Sequence, residues 1–91
     1  MNKSKINIEL TLGLINNIGQ TNALTYVKNI MNKFKNDIGH FIEQTELEIL
    51  KLNKSITKKI IAYKYDNAYL ELEIITNNHT KSVHVQNFSL R

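Results

Sequence analysis

The apolar and polar positions of residues 57–88 alternate in a way that predicts three consecutive antiparallel β-strands. Two runs rich in β-branched and aromatic residues flank Asp66 and Asn67, and an Asx pair between such runs is typical of a two-residue hairpin turn. A slip of one residue would turn Leu70 and Leu72 toward polar partners, so the pattern itself selects the register. The pairs predicted to share one apolar face are Tyr65 with Ala68, Tyr63 with Leu70, and Ile61 with Leu72.

A second turn, centred on Asn78 and His79, extends the same apolar face into a strand over residues 81–90. This choice sets apolar residues of the two strands against each other, whereas a turn one residue earlier would oppose Ile74 to Lys81. The facing pairs are then predicted to be Ile74 with Val83 and Leu72 with Val85.

Upstream, the loop 53–55 is predicted to join these strands to one more strand that begins near residue 45. Ile49 and Leu50 are neighbours in sequence and break the alternation, which indicates a bulge or a strand end. The sequence therefore predicts a four-stranded meander with an irregular first strand.

A helical alternative exists for the same region, because residues 45–88 resemble a winged helix-turn-helix in the spacing of their segments. That fold requires helices over 45–53 and 55–65. In the second helix Ile61 and Tyr65 would point away from the apolar stripe, which is unfavourable for a recognition helix. The strands are the preferred interpretation, and the winged helix-turn-helix is kept as the alternative.

Residues 5–12 alternate strictly between polar and apolar, which predicts a half-buried strand ended by Gly13. The residues predicted to share its apolar side are Ile6, Ile8, Leu10 and Leu12.

The period changes to that of a helix after Thr21, which is a suitable N-cap residue. Gly39 stands where a glycine commonly ends a helix, so about sixteen residues are predicted to form one amphipathic helix. The predicted apolar stripe consists of Ala23, Leu24, Val27, Ile30, Met31, Phe34 and Ile38.

Together these elements predict a two-layer α+β fold in which one amphipathic helix packs on an antiparallel meander sheet, in the order β-α-β-β-β-β. This order is similar to that of cystatin-like folds. The Gln-Val-Val-Ala-Gly loop of the cystatins is absent, so protease inhibition is not inferred.

Length and composition predict one domain over residues 1–91, because the chain is long enough for a single modest core. Without cysteine it forms no disulfide, and it has no apolar run long enough to cross a membrane. The first residues alternate polar and apolar, unlike the core of a signal peptide. We therefore expect a cytoplasmic protein.

The formal net charge of +4 is compatible with nucleic-acid binding. However, Asn, Ile and Lys are the commonest residues and all have AT-rich codons, so an AT-rich genome of phage or plasmid type explains the lysines equally well. Base readout favours arginine, and the chain has only Arg91.

No pattern predicts catalysis, a metal site or a cofactor. His84 is predicted to face Glu73, but one imidazole with carboxylates is short of a zinc site, and a solvated cross-strand pair explains it. The three glycines form no phosphate-binding loop, and no nucleophile lies in a known motif. We expect a protein that is not an enzyme.

Two surfaces are candidates for binding. The outer side of the sheet is predicted to expose aromatic and apolar anchors for a protein partner: Lys64, Tyr69, Ile75 and Phe88. Lysines near the 53–55 loop are the alternative contact, for nucleic-acid phosphates: Lys51, Lys54, Lys58 and Lys59.

The first functional hypothesis is a small protein-binding module that inhibits or regulates a host protein or nucleoprotein complex. The alternative is a basic DNA- or RNA-binding protein, such as a winged-helix regulator or a plasmid-transfer accessory. Homodimerisation through the last strand, residues 82–90, is a further expectation, since that strand is an edge of the predicted sheet.

Overall fold

The computed structural model describes residues 3–16 and 23–91, and within them the chain folds as helices followed by a four-stranded antiparallel sheet. The helical elements are α1 (Lys3–Asn16), α2 (Ala23–Lys33) and the single turn α3 (Lys35–Ile38). The strands are β1 (Phe41–Lys51), β2 (Ile56–Tyr65), β3 (Tyr69–Asn77) and β4 (Val83–Leu90). Their spatial order is β1-β2-β3-β4, so the α+β class and the four-stranded meander are confirmed.

The hairpin between β2 and β3 has the predicted register. Tyr63 pairs with Leu70 and Ile61 with Leu72, while Lys64 pairs with Tyr69. The Tyr65 N–H donates to the Ala68 carbonyl at 2.8 Å and closes the turn. We call the side that carries Tyr63, Leu70 and Leu72 the core face, and the opposite side the outer face.

The predicted register between β3 and β4 is wrong. The Asn77 side chain accepts hydrogen bonds from the backbone N–H groups of His79 and Thr80, which stabilises a four-residue loop instead of a two-residue turn. Ile74 consequently pairs with Val85, and not with the predicted Val83.

A bulge then displaces the end of β4 by one more residue. Phe88 pairs with Leu72 and packs against the core, so its predicted place beside Tyr69 on the outer face is also wrong. The bulge turns Phe88 and Leu90 to the core face, where burial of their apolar surface is favourable.

The predicted N-terminal strand is wrong, because residues 5–12 belong to α1. Ile6 and Leu10 are four residues apart and fully buried, whereas Ile8 and Leu12 are 59% and 57% exposed. Residues four positions apart share one face in a helix and also in a strand. The alternation of polar and apolar residues is therefore compatible with both structures. The order of elements consequently differs from the predicted β-α-β-β-β-β, and the similarity to cystatin-like folds is lost.

The predicted amphipathic helix is present, but it is divided at Phe34 into α2 and α3. Gly39 follows α3 with a φ of 83°, a conformation that favours glycine. Thr21, the predicted N-cap, lies outside the described residues. The buried members of the predicted stripe are Ala23, Val27, Met31, Phe34 and Ile38.

The winged helix-turn-helix alternative is wrong, because residues 45–51 and 56–65 lie in the paired strands β1 and β2. β1 begins at Phe41, earlier than predicted, and its pairing is interrupted by two irregularities, at residues 42 and 47.

Within the described residues, a cluster of buried side chains joins the helices to the core face of the sheet. Sequence reasoning placed Leu70, Leu72 and Ile74 of β3 in it correctly. Leu24 and Ile30 of the predicted helical stripe are only partly buried against it, and α1 supplies two more residues. The cluster comprises Ile6, Leu10, Val27, Met31, Phe34, Ile38, Ile61, Tyr63, Tyr65, Ala68, Leu70, Leu72 and Ile74.

Candidate binding surface

The outer face carries three of the four residues predicted to contact a protein. Lys64 and Tyr69 are direct cross-strand partners, and Ile75 lies further along β3 beside Lys58. The neighbour of Tyr69 on its other side is Arg91, whose guanidinium lies 5.0 Å from the centre of the tyrosine ring and 3.0 Å from Glu71. This face is therefore more polar than predicted.

The four lysines predicted to contact nucleic acid do not share one face. Lys58 and Lys59 are consecutive in β2, so their side chains point to opposite sides of the sheet. Lys58 binds Glu73 at 2.7 Å, and this hydrogen bond, with the charge of Glu73, raises the lysine's pKa. Lys59 lies 3.7 Å from Glu46. Lys51 and Lys54 are exposed.

The predicted pair of His84 and Glu73 is wrong, because the longer loop brings His84 opposite Ile75. Among the described residues no group of three or more His, Asp or Glu side chains could hold a metal ion. In the same part of the chain, no helix has the length and apolar character needed to cross a membrane.

Among the described residues, most of the exposed large apolar side chains lie in or next to β1, a strand that sequence reasoning did not select as a binding surface. Every residue of this strand is exposed, and six large apolar side chains of residues 41–52 keep 46–57% of their surface in solvent. They are Phe41, Ile42, Leu47, Ile49, Leu50 and Leu52. The pairing sets Phe41 and Ile49 on the core face and Leu50 on the outer face. Large apolar side chains left exposed on one face are typical of interaction sites in small soluble proteins.

The position of the helices explains why β1 stays exposed. Both α1 and α2 contact β4, so they cover the half of the core face that β3 and β4 form, together with part of β2. β1 is the edge strand at the opposite side of the sheet. The sequence shows that β1 is rich in apolar residues. It does not show that the helices pack toward β4 and leave β1 uncovered.

A groove of about 630 Å³ separates the α2–α3 segment from β1 and β2. Its floor is apolar and is formed by Met31, Ile38, Phe41, Tyr63 and Tyr65. Its rim is polar and includes the side chains of Lys28, Asn29, Asn32, Lys35, His40 and Gln44. Apolar floors with a few polar groups at the rim are the usual composition of binding sites.

The aromatic rings of the groove pack on one another. The ring centre of Phe41 lies 5.6 Å from that of Tyr65, edge to face, and 6.2 Å from that of Tyr63. The Lys28 ammonium lies 5.8 Å from the centre of the Tyr63 ring, within reach of a cation–π interaction. Phe41 is the exposed member of this group and the one that a ligand would meet first.

The two tyrosines are buried and neutral. Burial raises the pKa of Tyr63, and burial together with the neighbouring Tyr63 raises the pKa of Tyr65 to about 12. The Tyr63 hydroxyl is buried and has no hydrogen-bond partner among the described residues. An unpaired buried hydroxyl costs about 1–3 kcal/mol, so an acceptor brought to it would be stabilising.

One end of the groove is fixed by contacts between the α3 terminus and the hairpin turn. The Asp66 carboxylate accepts a hydrogen bond from the His40 backbone N–H at 2.8 Å and lies 3.3 Å from His40 Nδ1. The Asn67 N–H donates to the Ile38 carbonyl at 2.8 Å. The backbone N–H of His40, and then its side chain, hold the pKa of Asp66 below its ordinary value.

This depressed pKa makes a prediction about acid stability. Because the folded state favours the charged form of Asp66, the carboxylate stabilises the fold above its ordinary pKa, and the contribution is lost as the pH falls through the lower, folded value. We expect the melting temperature of Asp66→Asn to fall below that of the wild type at neutral pH, with the difference shrinking below about pH 4. Thermal melts followed by circular dichroism between pH 7 and about pH 2 measure it, with Glu43→Gln as the carboxylate control. A difference that stays constant with pH would contradict the assignment.

Comparisons of the chain with protein-family models, with curated proteins and with solved structures find no match to it.

Proposed function

We propose that the protein is a non-enzymatic binding module that holds a protein partner against the β1 side of its sheet, and that it inhibits or regulates this partner. The observation that carries the proposal is the set of six exposed large apolar side chains in residues 41–52. Desolvation of apolar side chains contributes about 25 cal/mol for each Å² of apolar surface buried, before the entropy and desolvation costs of association are subtracted.

Charge supports a protein partner for β1 over a nucleic acid. The strand carries Glu43, Glu46 and Glu48 against the single Lys51, in a chain that is otherwise basic. The pairing places Glu43 and Glu48 on the outer face and Glu46 on the core face. There Glu46 lies 3.7 Å from Lys59, so β1 offers phosphates no cluster of free positive charge. Protein interfaces accommodate apolar centres with charged surroundings.

The experiment is a pull-down from the natural host with the wild-type chain and two variants as baits. Phe41→Ser/Ile49→Ser removes two apolar side chains from β1, and Tyr69→Ser/Ile75→Ser does the same on the outer face. We expect the first variant to lose the partner, with affinity lowered by more than about 2 kcal/mol, or roughly 30-fold, and the second to retain it.

Folding and nucleic-acid bridging are controlled in the same experiment. More than half of the surface of Phe41 and of Ile49 is exposed, so their replacement should leave the circular dichroism spectrum of the free protein unchanged. The complex should survive nuclease treatment and moderate salt. Retention of the partner by the β1 variant, or its release by nuclease, would overturn the proposal.

A further inference from the structure

We propose that the occupant of the groove is an amphipathic α-helix of the partner, with acidic side chains along the flank that faces α2. This inference rests on the proposed function and names the element by which the partner binds. It concerns the core face of β1 and β2, and not the free edge of β1.

The core face offers room beside α2 for one further element. Ile61, Tyr63 and Tyr65 of β2 are buried there, whereas β1 is exposed along its whole length. A groove of about 630 Å³ runs between the α2–α3 segment and these two strands. A helix with its side chains has a diameter of about 10–12 Å. A helix placed there would complete the layer that α1 and α2 begin, because helices pack side by side on a sheet face.

The charges at the rim of the groove select an acidic helix. Lys28 and Lys35 are exposed, and neither forms an ion pair with any residue of the described ranges. None of the side chains that line the groove is acidic. Lys28 lies in α2 and Lys35 in α3, and both border the same groove, so carboxylates on the flank of a helix in the groove can meet both.

The neutral polar groups of the groove suit the same occupant. Asn29 and Asn32 lie on the rim between the lysines and offer amide donors to carboxylates. Phe41 supplies an exposed ring against which an aliphatic side chain can pack.

Pairing of a further strand with the free edge of β1 is less favourable than a helix in the groove. This holds for a strand of the partner and for β1 of a second copy of the chain. The two interruptions in the pairing of β1 make the strand irregular, and irregular edges resist further pairing. Two antiparallel copies of β1 would also bring Glu43, Glu46 and Glu48 of one chain close to the same residues of the other, which is repulsive.

The test uses a synthetic helical peptide of about 18 residues, with leucines at helical spacing and glutamates on one flank, titrated into the protein. A matched peptide carries lysine in place of every glutamate. We expect the acidic peptide to bind at least about tenfold more tightly than the basic one, by fluorescence anisotropy at low salt. Peptide-induced changes in amide NMR shifts should cover α2 and the core face of β1 and β2.

Charge reversal provides the decisive variant. Lys28→Glu/Lys35→Glu should invert the preference between the two peptides, while Lys64→Glu, a change of the same sign on the outer face, should preserve it. The inference is overturned if both peptides bind equally, if the preference survives in the double variant, or if the shifts map to the outer face or to the free edge of β1.

The two proposals fail in distinguishable ways. If the host partner requires Phe41 and Ile49 but is retained by Lys28→Glu/Lys35→Glu, the binding function stands and the acidic helix is wrong. If the partner is retained by both variants, both proposals are wrong.

Discussion

Replacement of Leu72 by alanine is expected to lower the free energy of unfolding by about 2–5 kcal/mol. Leu72 is fully buried in the centre of β3, where it pairs with Ile61 on one side and with Phe88 on the other. Removal of its side chain loses the transfer free energy of the missing methyl groups and leaves a cavity, since strands paired on both sides have little freedom to close it.

Urea unfolding followed by circular dichroism measures the loss, and Leu47→Ala is the matched control. Leu47 lies at an irregularity of β1 with 48% of its surface exposed, so its truncation should change the stability by less than about 0.5 kcal/mol. Equal effects of the two substitutions would mean that the core does not lie between the helices and β3.

The second large effect is expected for Gly39→Ala, which should destabilise the fold by about 3 kcal/mol. Gly39 has φ of 83° and ψ of −160°, a backbone region that is almost restricted to glycine. A Cβ atom on Gly39 would also lie 2.5 Å from the Cβ of Asp66, which is held by its hydrogen bond to His40. The substitution therefore separates α3 from the hairpin turn.

Gly13→Ala is the appropriate comparison for this prediction. A Cβ atom there would overlap the end of the Tyr26 side chain, which can rotate away more easily than backbone can move. Alanine also favours the helical conformation over glycine by up to about 1 kcal/mol. We expect a clearly smaller loss than at Gly39, and a larger loss at Gly13 in the same urea experiment would contradict this account of the junction.

The β2–β3 hairpin was predictable because its register depends on local information. The turn at Asp66 and Asn67 is short, and the alternation on both sides permits one pairing that buries Leu70 and Leu72. The β3–β4 turn contains Asn77, Asn78 and His79, and the sequence does not reveal that the Asn77 side chain holds a longer loop. The bulge that turns Phe88 inward could not be predicted either, because it forms where the ring of Phe88 can pack against the core, and the sequence does not show that contact.

The N-terminal element was not predictable, because residues 6–12 fit both periods. With apolar side chains at every second position, Ile6 and Leu10 also lie one helical turn apart, and packing against α2 and the sheet decided between the two structures. The candidate site could not be predicted, because it depends on how the helices pack on the sheet. Lys28 and the apolar residues of β1 are evident in the sequence, but the groove between them exists because the helices pack toward β4.

The contact between α1 and β4 has a consequence for the order in which the protein folds during synthesis. α1 is translated before the whole sheet and β4 after the other three strands, and the two pack together although residues 17–82 separate them in sequence. Hairpins of the meander can close as they leave the ribosome, because their strands are neighbours in sequence. The buried side chains of α1, Ile6 and Leu10, gain their final neighbours when β4 joins the sheet. The nascent helices therefore carry uncovered hydrophobic surface, a target for chaperones, until β4 has been translated.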